Sequence, residues 1–386
     1  MNQGISDLVP DASIPESAAI TAAEARQFSR RGLFIGGCPK SGTTLLLSLL
    51  DSHPQLAVLP EETFYLEKRG QYRALPGNRE KLRFLLEKTN LSLLAKGLVQ
   101  PPRETRSAGA RNYAGFDYPR FLALAAAAVR QPWVDDSLLF SEVIRAYAIV
   151  LGTDWRQCVG WVEKSTSNEV RHAAMDELYP DARVVQLVRD PRAVFASRKK
   201  RMTFDGATYR KAHRLVREWN RSAREIPRLR RQPERFMVLR YEDLVKNPQA
   251  SLQAFCRLAG IEFVPTLLKP TRAGQEWLGN SSFQGAFHEI NSAPVDQWKD
   301  YLTDDEVWWI ELHCRQGMAL AGYTLQTGGR FSLRRWLKRL PGESWNGYLR
   351  ARRGSLCQWL GLLKGNLNGI VTNNVAAARC ANGSVC

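Results

Sequence analysis

The sequence has no framework of paired cysteines. Its 386 residues include seven cysteines, an odd number, and none stands in a C-x-x-C pair or at the spacing of a zinc site. Reduced thiols are therefore expected, and neither a disulfide scaffold nor a zinc-dependent domain is indicated. No cluster of metal-ligating residues is apparent either, so we expect no metal requirement.

Long apolar runs are also absent. No stretch has the roughly 18 consecutive apolar residues that indicate a membrane-spanning helix. Residues 1–26 contain small and acidic residues and lack the apolar core of a signal peptide. We therefore expect a cytoplasmic protein in which residues 1–30 form a flexible leader, rich in alanine, serine and proline.

Acidic residues are few compared with basic ones. The chain has 38 aspartates and glutamates against 55 lysines and arginines, which gives a net charge of +17. Such a charge favours anionic partners, among them nucleic acid, acidic lipid, anionic glycan and highly charged cofactors. The basic residues are spread out and no nucleic-acid-reading motif is present, so nucleic-acid binding is kept only as an alternative.

A glycine-rich turn lies between a predicted strand and a predicted helix. The apolar run Leu33–Ile35 indicates a buried strand, and the leucines between 45 and 50 indicate the buried face of a helix. The turn G-G-C-P-K-S-G-T-T occupies residues 36–44. Backbone N–H groups and the dipole at such a helix N-terminus favour a bound oxyanion. The side chains and backbone of this site are predicted to come from Lys40, Ser41, Gly42, Thr43 and Thr44.

The turn differs from a nucleotide triphosphatase loop at one position. Gly37 and Gly42 have the spacing of G-x-x-x-x-G-K-[ST], but Thr43 occupies the lysine position. A P-loop nucleotide kinase or NTPase therefore remains an alternative. The segment P-K-S-G-T-T after a strand resembles the 5′-phosphosulfate loop of sulfotransferases that use 3′-phosphoadenosine 5′-phosphosulfate (PAPS). A structural turn without a ligand would not need one lysine and three hydroxyls together.

The rest of the chain predicts an α/β fold. Strand patterns at 55–59, 158–162, 183–188 and 236–239 alternate with helical patterns, which indicates a parallel central sheet flanked by helices. Ligands in such folds bind beyond the carboxyl ends of the strands. The resemblance implies the three-layer, P-loop-NTPase-like sulfotransferase fold for residues 31–329.

Three further segments resemble PAPS-binding motifs. Strand-R-D-P-R, followed by a serine, is similar to the 3′-phosphate motif, which would make Arg189 and Ser197 phosphate ligands. The segment R-Y-E-D-L resembles one whose tyrosine lies near the adenine, here Tyr241. A late loop containing Ser292 resembles a segment that closes on the cofactor.

Two segments resemble tyrosylprotein sulfotransferases and their bacterial relatives. The run from the loop through D-S-H-P to E-E-T implies Glu61 as the general base, and E-K-S implies that Lys164 binds the sulfuryl group. We predict that Glu61 lies between Lys40 and Lys164, and that Glu62 points away as a structural residue because side chains alternate in extended segments. His53 is predicted to be a structural turn residue, and it is the next candidate base together with His288.

The acceptor is left open by the sequence. A hydroxyl or amine of a glycan, lipid, small molecule or peptide would serve, and the positive charge favours a carbohydrate or glycolipid. Oligomeric state is not indicated.

A basic C-terminal extension is predicted at 330–386. Leu333, Trp336, Leu337 and Leu340 fall on one helical face among arginines and lysines. Such a helix can lie on an anionic membrane surface, and the alternative is packing against the domain.

Overall fold

The computed structural model describes residues 19–97, 99–100, 111–204, 212–277, 279, 290–328 and 332–337. The strands are β1 (Gly32–Gly37), β2 (Leu56–Val58), β3 (Val99–Gln100), β4 (Arg111–Asn112), β5 (Gly160–Lys164), β6 (Arg183–Val188), β7 (Phe236–Arg240), β8 (Thr271–Arg272) and β9 (Gln275–Glu276). The helices are α1 (Ala22–Ser29), α2 (Thr43–Leu50), α3 (Tyr65–Arg73), α4 (Asn78–Lys88), α5 (Ser92–Ala95), α6 (Tyr118–Val129), α7 (Asp136–Val150), α8 (His172–Leu178), α9 (Pro191–Phe204), α10 (Ala212–Ala223), α11 (Ile226–Leu229), α12 (Tyr241–Lys246), α13 (Pro248–Ala259), α14 (Trp298–Tyr301), α15 (Asp304–Ala321) and α16 (Leu333–Leu337).

Five strands form one sheet in the order β2-β5-β1-β6-β7. All four neighbouring pairs are parallel. The predicted α/β architecture and its five strands are therefore confirmed. Two short antiparallel hairpins, β3-β4 and β8-β9, lie outside this sheet.

Both faces of the sheet are covered, which gives three layers. Phe34, Trp161 and Val184 pack into one cluster with residues of α1, α6 and α7. Ile35 and Val185 point to the other face and pack against α2 and α13. Because successive strand residues alternate between faces, continuous apolar strands of this kind fit a sheet buried on both sides.

The amino-terminal boundary differs from the prediction. The predicted flexible leader includes α1, which begins with a capping box between Thr21 and Glu24. Phe28 of α1 is buried, and its carbonyl accepts a hydrogen bond from Trp161 Nε1 at 3.0 Å. The prediction is wrong for residues 22–29, because this helix buries apolar surface against the sheet face.

The carboxyl-terminal prediction is only partly covered by the structure. Helix α16 contains Leu333, Trp336 and Leu337, whereas Leu340 and the rest of the extension lie outside the described residues. Arg335 Nε lies 3.6 Å from Asp305 of α15. Within the described ranges, no helix has the length and apolar character needed to cross a bilayer.

The cysteines that the structure describes agree with the expected reduced thiols. Cys38, Cys158, Cys256 and Cys314 are all free and buried. Burial raises the pKa of the Cys256 thiol to about 11 and that of Cys158 to about 12.

Candidate functional site

The turn between β1 and α2 has the conformation expected of an anion-binding loop. Lys40 and Gly42 adopt left-handed backbone conformations, with φ values of 77° and 92°. The Ser41 N–H donates to the Cys38 carbonyl at 3.0 Å, which closes the turn. Ser41 Oγ is buried and has no hydrogen-bond partner among the residues that the structure describes. A buried hydroxyl without a partner fits a ligand oxygen at this position.

Tyr241 packs directly against the loop. A Cβ atom added at Gly42 would lie 2.4 Å from Tyr241 Cδ2, so only glycine allows this approach. The guanidinium carbon of Arg189 lies 4.2 Å from the centroid of the same ring. This cation–π stacking joins the second predicted motif to the first.

Arg189 connects three segments of the predicted cofactor site. Its Nη1 donates to the Lys40 carbonyl at 3.1 Å, and its Nη2 donates to the Pro294 carbonyl at 3.0 Å. Ser292 precedes Pro294 and is exposed at the start of this turn. Arg189 Nε is buried without a partner in the described part of the chain. Ser197, the other predicted phosphate ligand, lies buried in α9.

The end of β6 is fixed by a buried carboxylate. Glu242, next to Tyr241 in α12, accepts a hydrogen bond from the Asp190 N–H at 3.0 Å and from the Tyr323 hydroxyl at 2.7 Å. Asp190 in turn forms an ion pair with Arg192, with 2.6 Å between Oδ2 and Nη2. These contacts hold Arg189 and Tyr241 in register with each other.

Lys164 ends β5 beside the amino terminus of α2. Its Nζ lies 3.1 Å from Thr44 Oγ1 and 2.8 Å from Glu62 Oε1. The Lys164 side chain is 5% exposed, and that of Glu62 is 24% exposed. An ammonium, a hydroxyl and an accessible carboxylate thus meet at the carboxyl edge of the sheet.

Glu61 has other neighbours than predicted. Its Oε1 accepts hydrogen bonds from Arg111 Nε at 2.7 Å, Tyr113 Oη at 2.8 Å and Arg272 Nη2 at 2.8 Å. The prediction that Glu61 would lie between Lys40 and Lys164 is therefore wrong, since Lys164 pairs with Glu62. The two glutamates do point in opposite directions, but the phase of the alternation is the reverse of the one predicted.

The arginines that hold Glu61 come from segments whose role the sequence did not indicate. Arg111 lies in β4, and Arg272 lies in β8. The β8-β9 turn is fixed by Asp51, whose carboxylate accepts from the N–H groups of Ala273 at 3.1 Å and Gly274 at 2.9 Å. Ala273 and Gly274 both have positive φ values, as a two-residue hairpin turn requires.

A second buried carboxylate holds the other side of the E-E-T turn. Glu163 Oε1 accepts from Thr63 Oγ1 at 2.8 Å and from Ser165 Oγ at 2.5 Å, and Oε2 accepts from Asn168 Nδ2 at 2.7 Å. Ser165 Oγ also accepts from the Phe64 N–H at 2.8 Å. Among the described side chains no cation pairs with Glu163, and burial raises the pKa of its carboxyl above the usual range.

His53 occupies a structural position, as predicted. Its Nδ1 accepts from the Gln55 N–H at 3.1 Å, so Nε2 carries the proton and donates to the Glu262 carbonyl at 2.8 Å. Burial lowers the pKa of His53. The other candidate base, His288, lies outside the described residues. In the described ranges, no group of three or more histidine, cysteine, aspartate or glutamate side chains could hold a metal ion.

Most of the predicted site residues therefore converge at one edge of the sheet. The loop from Lys40 to Thr44 contacts Arg189, Tyr241 and Lys164, and the turn after Ser292 contacts Arg189. The main residue that the sequence argument assigned differently is Glu62. The side on which Glu62 lies follows from the pairing of β2 with β5, in which Val58 lies opposite Val162, and the sequence alone does not give this register.

Comparisons with known proteins identify the family of this chain. The sequence pattern described as "Sulfotransferase family" matches residues 32–265, more than half of the chain. Human carbohydrate sulfotransferase 3 is 30% identical over 167 residues, which are 38% of this chain and 34% of that protein. Mouse carbohydrate sulfotransferase 4 is 29% identical over 191 residues, covering 40% of this chain and 47% of that protein. The match thus spans less than half of these curated relatives.

Solved structures of similar chains were also found. The sulfotransferase domain of a Synechococcus PCC 7002 olefin synthase is 21% identical, with a TM-score of 0.47, and the match covers 76% of this chain and 94% of that domain. The sulfotransferase domain from the curacin biosynthetic pathway is 22% identical, with a TM-score of 0.46, and the match covers 76% of this chain and 98% of that domain. The pattern match over residues 32–265 shows that the chain belongs to the sulfotransferase family.

Proposed function

We propose that this protein transfers a sulfuryl group from PAPS to a hydroxyl group of a carbohydrate. The observation that carries the proposal is that two buried donor atoms, which have no partner among the described residues, lie at the same sheet edge as an ammonium–carboxylate pair. Ser41 Oγ and Arg189 Nε are the donors, and Lys164 and Glu62 form the pair. A site suited to an anionic cofactor thus adjoins groups that can accept or donate a proton.

The residues present fit PAPS. The loop N–H groups, Lys40, Ser41 and Thr43 would hold the 5′ phosphosulfate, because a helix N-terminus with hydroxyl and ammonium donors suits an oxyanion. Arg189 and Ser197 would hold the 3′ phosphate. Tyr241 and the turn at Ser292 would lie beside the nucleoside. When bound, PAPS supplies an activated sulfuryl group.

Glu62 is the general base in this proposal. Its carboxylate is partly exposed and lies on Lys164, so a bound hydroxyl can approach it. Glu61 is 1% exposed, and one of its oxygens already accepts three hydrogen bonds, which leaves little capacity to take a proton. Glu61 instead fixes the turn that presents Glu62.

The basic groups stabilise developing negative charge. The Lys164 ammonium stands beside the base and beside Thr44, where it can neutralise charge on oxygens of the transferring group. Lys40, in the turn, would neutralise charge on the leaving side. A positioned base and preorganised cations of this kind are the usual protein contributions to group transfer.

Two observations support a carbohydrate acceptor. The relatives from human and mouse are carbohydrate sulfotransferases by name, and the net charge of +17 favours an anionic partner such as a polysaccharide. Lipid, phenol and peptide acceptors are the competing classes. A cytoplasmic location and peripheral membrane contact through the C-terminal extension stay predictions.

The decisive experiment is transfer from radiolabelled PAPS to a panel of acceptors. The panel contains desulfated chondroitin, a glycolipid, 4-nitrophenol and a tyrosine peptide. Label in the polysaccharide supports the proposal, whereas label confined to the phenol or peptide contradicts the carbohydrate acceptor. Magnesium-dependent ATP hydrolysis without any sulfate transfer would favour the NTPase alternative. A parallel reaction with EDTA tests the expectation that no metal is needed.

A further inference from the structure

One face of α10 carries a row of arginines. Arg214, Arg217, Arg221 and Arg224 are exposed and recur at intervals of three or four residues, which places them on one side of the helix. Arg224 follows the last residue of α10, and its N–H still donates to the Asn220 carbonyl at 3.1 Å. At 1.5 Å per residue the row is roughly 15 Å long. We call these four residues the arginine ridge.

The opposite face of α10 explains why the ridge points outward. Leu215, Val216, Trp219 and Ala223 are buried in the cluster that α10 forms with α9 and α15. The helix is therefore strongly amphipathic, and its orientation is set by apolar burial. The arginines are left on the solvent side without a structural need for so many charges of one sign.

Among the described residues, most of the ridge has no carboxylate partner. Arg214 Nε lies 2.6 Å from Glu218 Oε1, and Glu218 is the one acidic residue in α10. Arg217, Arg221 and Arg224 form no ion pair with any residue that the structure describes. Solvated helix faces usually mix both signs of charge, so three unpaired arginines in a row indicate an anionic partner.

The ridge begins near the edge of the sheet, at the carboxyl ends of the strands, where the candidate site lies. Trp219 Nε1 donates to the carbonyl of Arg189, just past the carboxyl end of β6, at 2.9 Å. Three residues later, the Ser222 carbonyl accepts from Gln186 inside β6 at 2.7 Å. Helix α10 thus runs antiparallel to β6, and Arg214 and Arg217 lie toward the edge where the cofactor motifs meet. A chain bound along the ridge would lead away from the site.

The surface chemistry narrows the class of partner. Guanidinium groups form bidentate hydrogen bonds with carboxylates and sulfates. The exposed large apolar residues of the described chain are Leu151, Tyr301 and Leu333, and none lies on α10. The ridge therefore has no aromatic platform for nucleic-acid bases and no apolar residues to enter a membrane.

We propose that the arginine ridge binds the extended chain of a linear anionic polysaccharide, with the sugar that reacts in the site and the neighbouring carboxylate- or sulfate-bearing sugars along α10. This inference rests on the proposed function, and it assigns the acceptor to polymers rather than to single sugars. The ridge makes the binding affinity increase with the length of the polysaccharide, whereas the residues at the sheet edge act on the reacting hydroxyl.

Binding to a fluorescent chondroitin sulfate decasaccharide tests the ridge without any reaction. The variant Arg217→Gln/Arg221→Gln/Arg224→Gln is compared with Lys96→Gln/Arg120→Gln/Arg257→Gln, which removes the same charge from three separated exposed positions. We expect the ridge variant to lose at least about tenfold in affinity and to show a shallower salt dependence, because fewer counterions are released. The control should bind like the wild type. Wild-type affinity in the ridge variant, or an equal loss in the control, overturns the proposal.

Competition and kinetics complete the test. The proposal of a polysaccharide partner would be overturned if the wild type bound single-stranded RNA or phosphatidylserine vesicles more tightly than the decasaccharide and the ridge variant lost that binding. In the transfer assay, KM should be lower for the decasaccharide than for a disaccharide, and the ridge variant should lose this difference. Equal KM values for the decasaccharide and the disaccharide in the wild type would contradict the proposed role of the arginine ridge, whereas the proposed function would stand. If no transfer occurs but polysaccharide binding depends on the ridge, the proposed function is contradicted and the proposed binding role of the ridge stands.

Discussion

Lys164 Nζ lies 2.8 Å from Glu62 Oε1 and forms no ion pair with Glu61, which directly precedes Glu62 in the chain and is the more deeply buried of the two carboxylates. In the proposed function, Glu62 therefore accepts the proton of the acceptor hydroxyl. We expect Glu62→Gln to lower turnover by about 10²–10⁴-fold, the usual contribution of a positioned base. PAPS affinity should change little. Single-turnover transfer measured beside equilibrium cofactor binding checks this expectation.

Glu61→Gln is the matched comparison. It leaves Arg111 and Arg272 around a neutral amide, and breaking a buried ion pair costs about 3–5 kcal/mol of folding stability. We expect a lower unfolding free energy in urea and a loss of turnover per folded molecule that is smaller than the loss in Glu62→Gln, because Glu61 acts through the turn that presents Glu62. The reverse pattern, with a stable but inactive Glu61→Gln and an active Glu62→Gln, would return the base to Glu61.

The cofactor assignment predicts selective stabilisation by a 3′-phosphorylated nucleotide. A ligand that binds only the folded state raises its stability by mass action. Adenosine 3′,5′-bisphosphate should therefore raise the melting temperature more than ATP at equal concentration. Arg189→Ala should remove about 1.5–3 kcal/mol of its binding free energy, because a charged hydrogen-bond donor is lost. Equal thermal shifts for the two nucleotides would contradict the assignment.

Glu163 is expected to act through the turn that carries Glu62. Its carboxylate accepts hydrogen bonds from Thr63, Ser165 and Asn168. In Glu163→Gln, the amide NH2 group replaces one of the accepting oxygens, so it would face at least one of these donors and that hydrogen bond would be lost. We expect turnover to fall about 10–100-fold, less than for loss of the base itself, and exchange of the Thr63 and Phe64 amide hydrogens to accelerate. Glu142→Gln is the control, since Glu142 is equally buried but pairs with Arg145 in α7.

A double-mutant cycle separates positioning from general stability. If Glu163 acts through Glu62, adding Glu163→Gln to Glu62→Gln should cost little further turnover, because the effects of coupled residues are not additive. A full additional loss in the double variant would show that Glu163 contributes independently of the base.

His53 should affect stability and its pH dependence, but not transfer. Burial lowers the pKa of His53 below its ordinary value of 6.5, so the unfolded chain takes up the proton first as the pH falls. The neutral ring therefore stabilises the fold fully above this value, and its contribution is lost progressively below it. His53→Asn should reduce the unfolding free energy by about 1–3 kcal/mol at pH 7.5, through a lost buried hydrogen bond.

Urea titrations at pH 7.5 and 5.5 measure this effect. The difference between the wild type and His53→Asn should shrink at the lower pH, since the wild type loses the contribution of the neutral ring. A His53→Asn variant with normal stability and no transfer would instead identify His53 as the base.

The sheet and the cofactor loop were predictable because their signals are local. Apolar runs identified the five strands, and glycines, a lysine and hydroxyls in one short turn identified the loop. Arg189 and Tyr241 were identified by the resemblance of their segments to PAPS-binding motifs, and both follow predicted strands, at whose carboxyl ends parallel sheets bind ligands. Helix α1 was missed because its apolar contribution is small: Ala25 and Phe28 are its buried apolar residues.

The partners of the two glutamates depend on contacts between distant segments. Arg111 and Arg272 reach Glu61 from short hairpins that have no periodic pattern. The orientation of Glu62 depends on the pairing of β2 with β5, because a shift of one residue would exchange the faces of both glutamates. An extended segment predicts that neighbouring side chains alternate, but it does not predict the phase.

The contact between Gly42 and Tyr241 has a consequence for how this protein can diversify. The glycine lies in the turn between β1 and α2, and the tyrosine begins α12, far along the chain, yet a single added carbon at position 42 would overlap the ring. Position 42 therefore cannot gain a side chain while Tyr241 keeps its place. A chimaera whose loop has any residue other than glycine at this position would also need a smaller residue at 241, so a change at 42 is expected to depend on a prior change at 241.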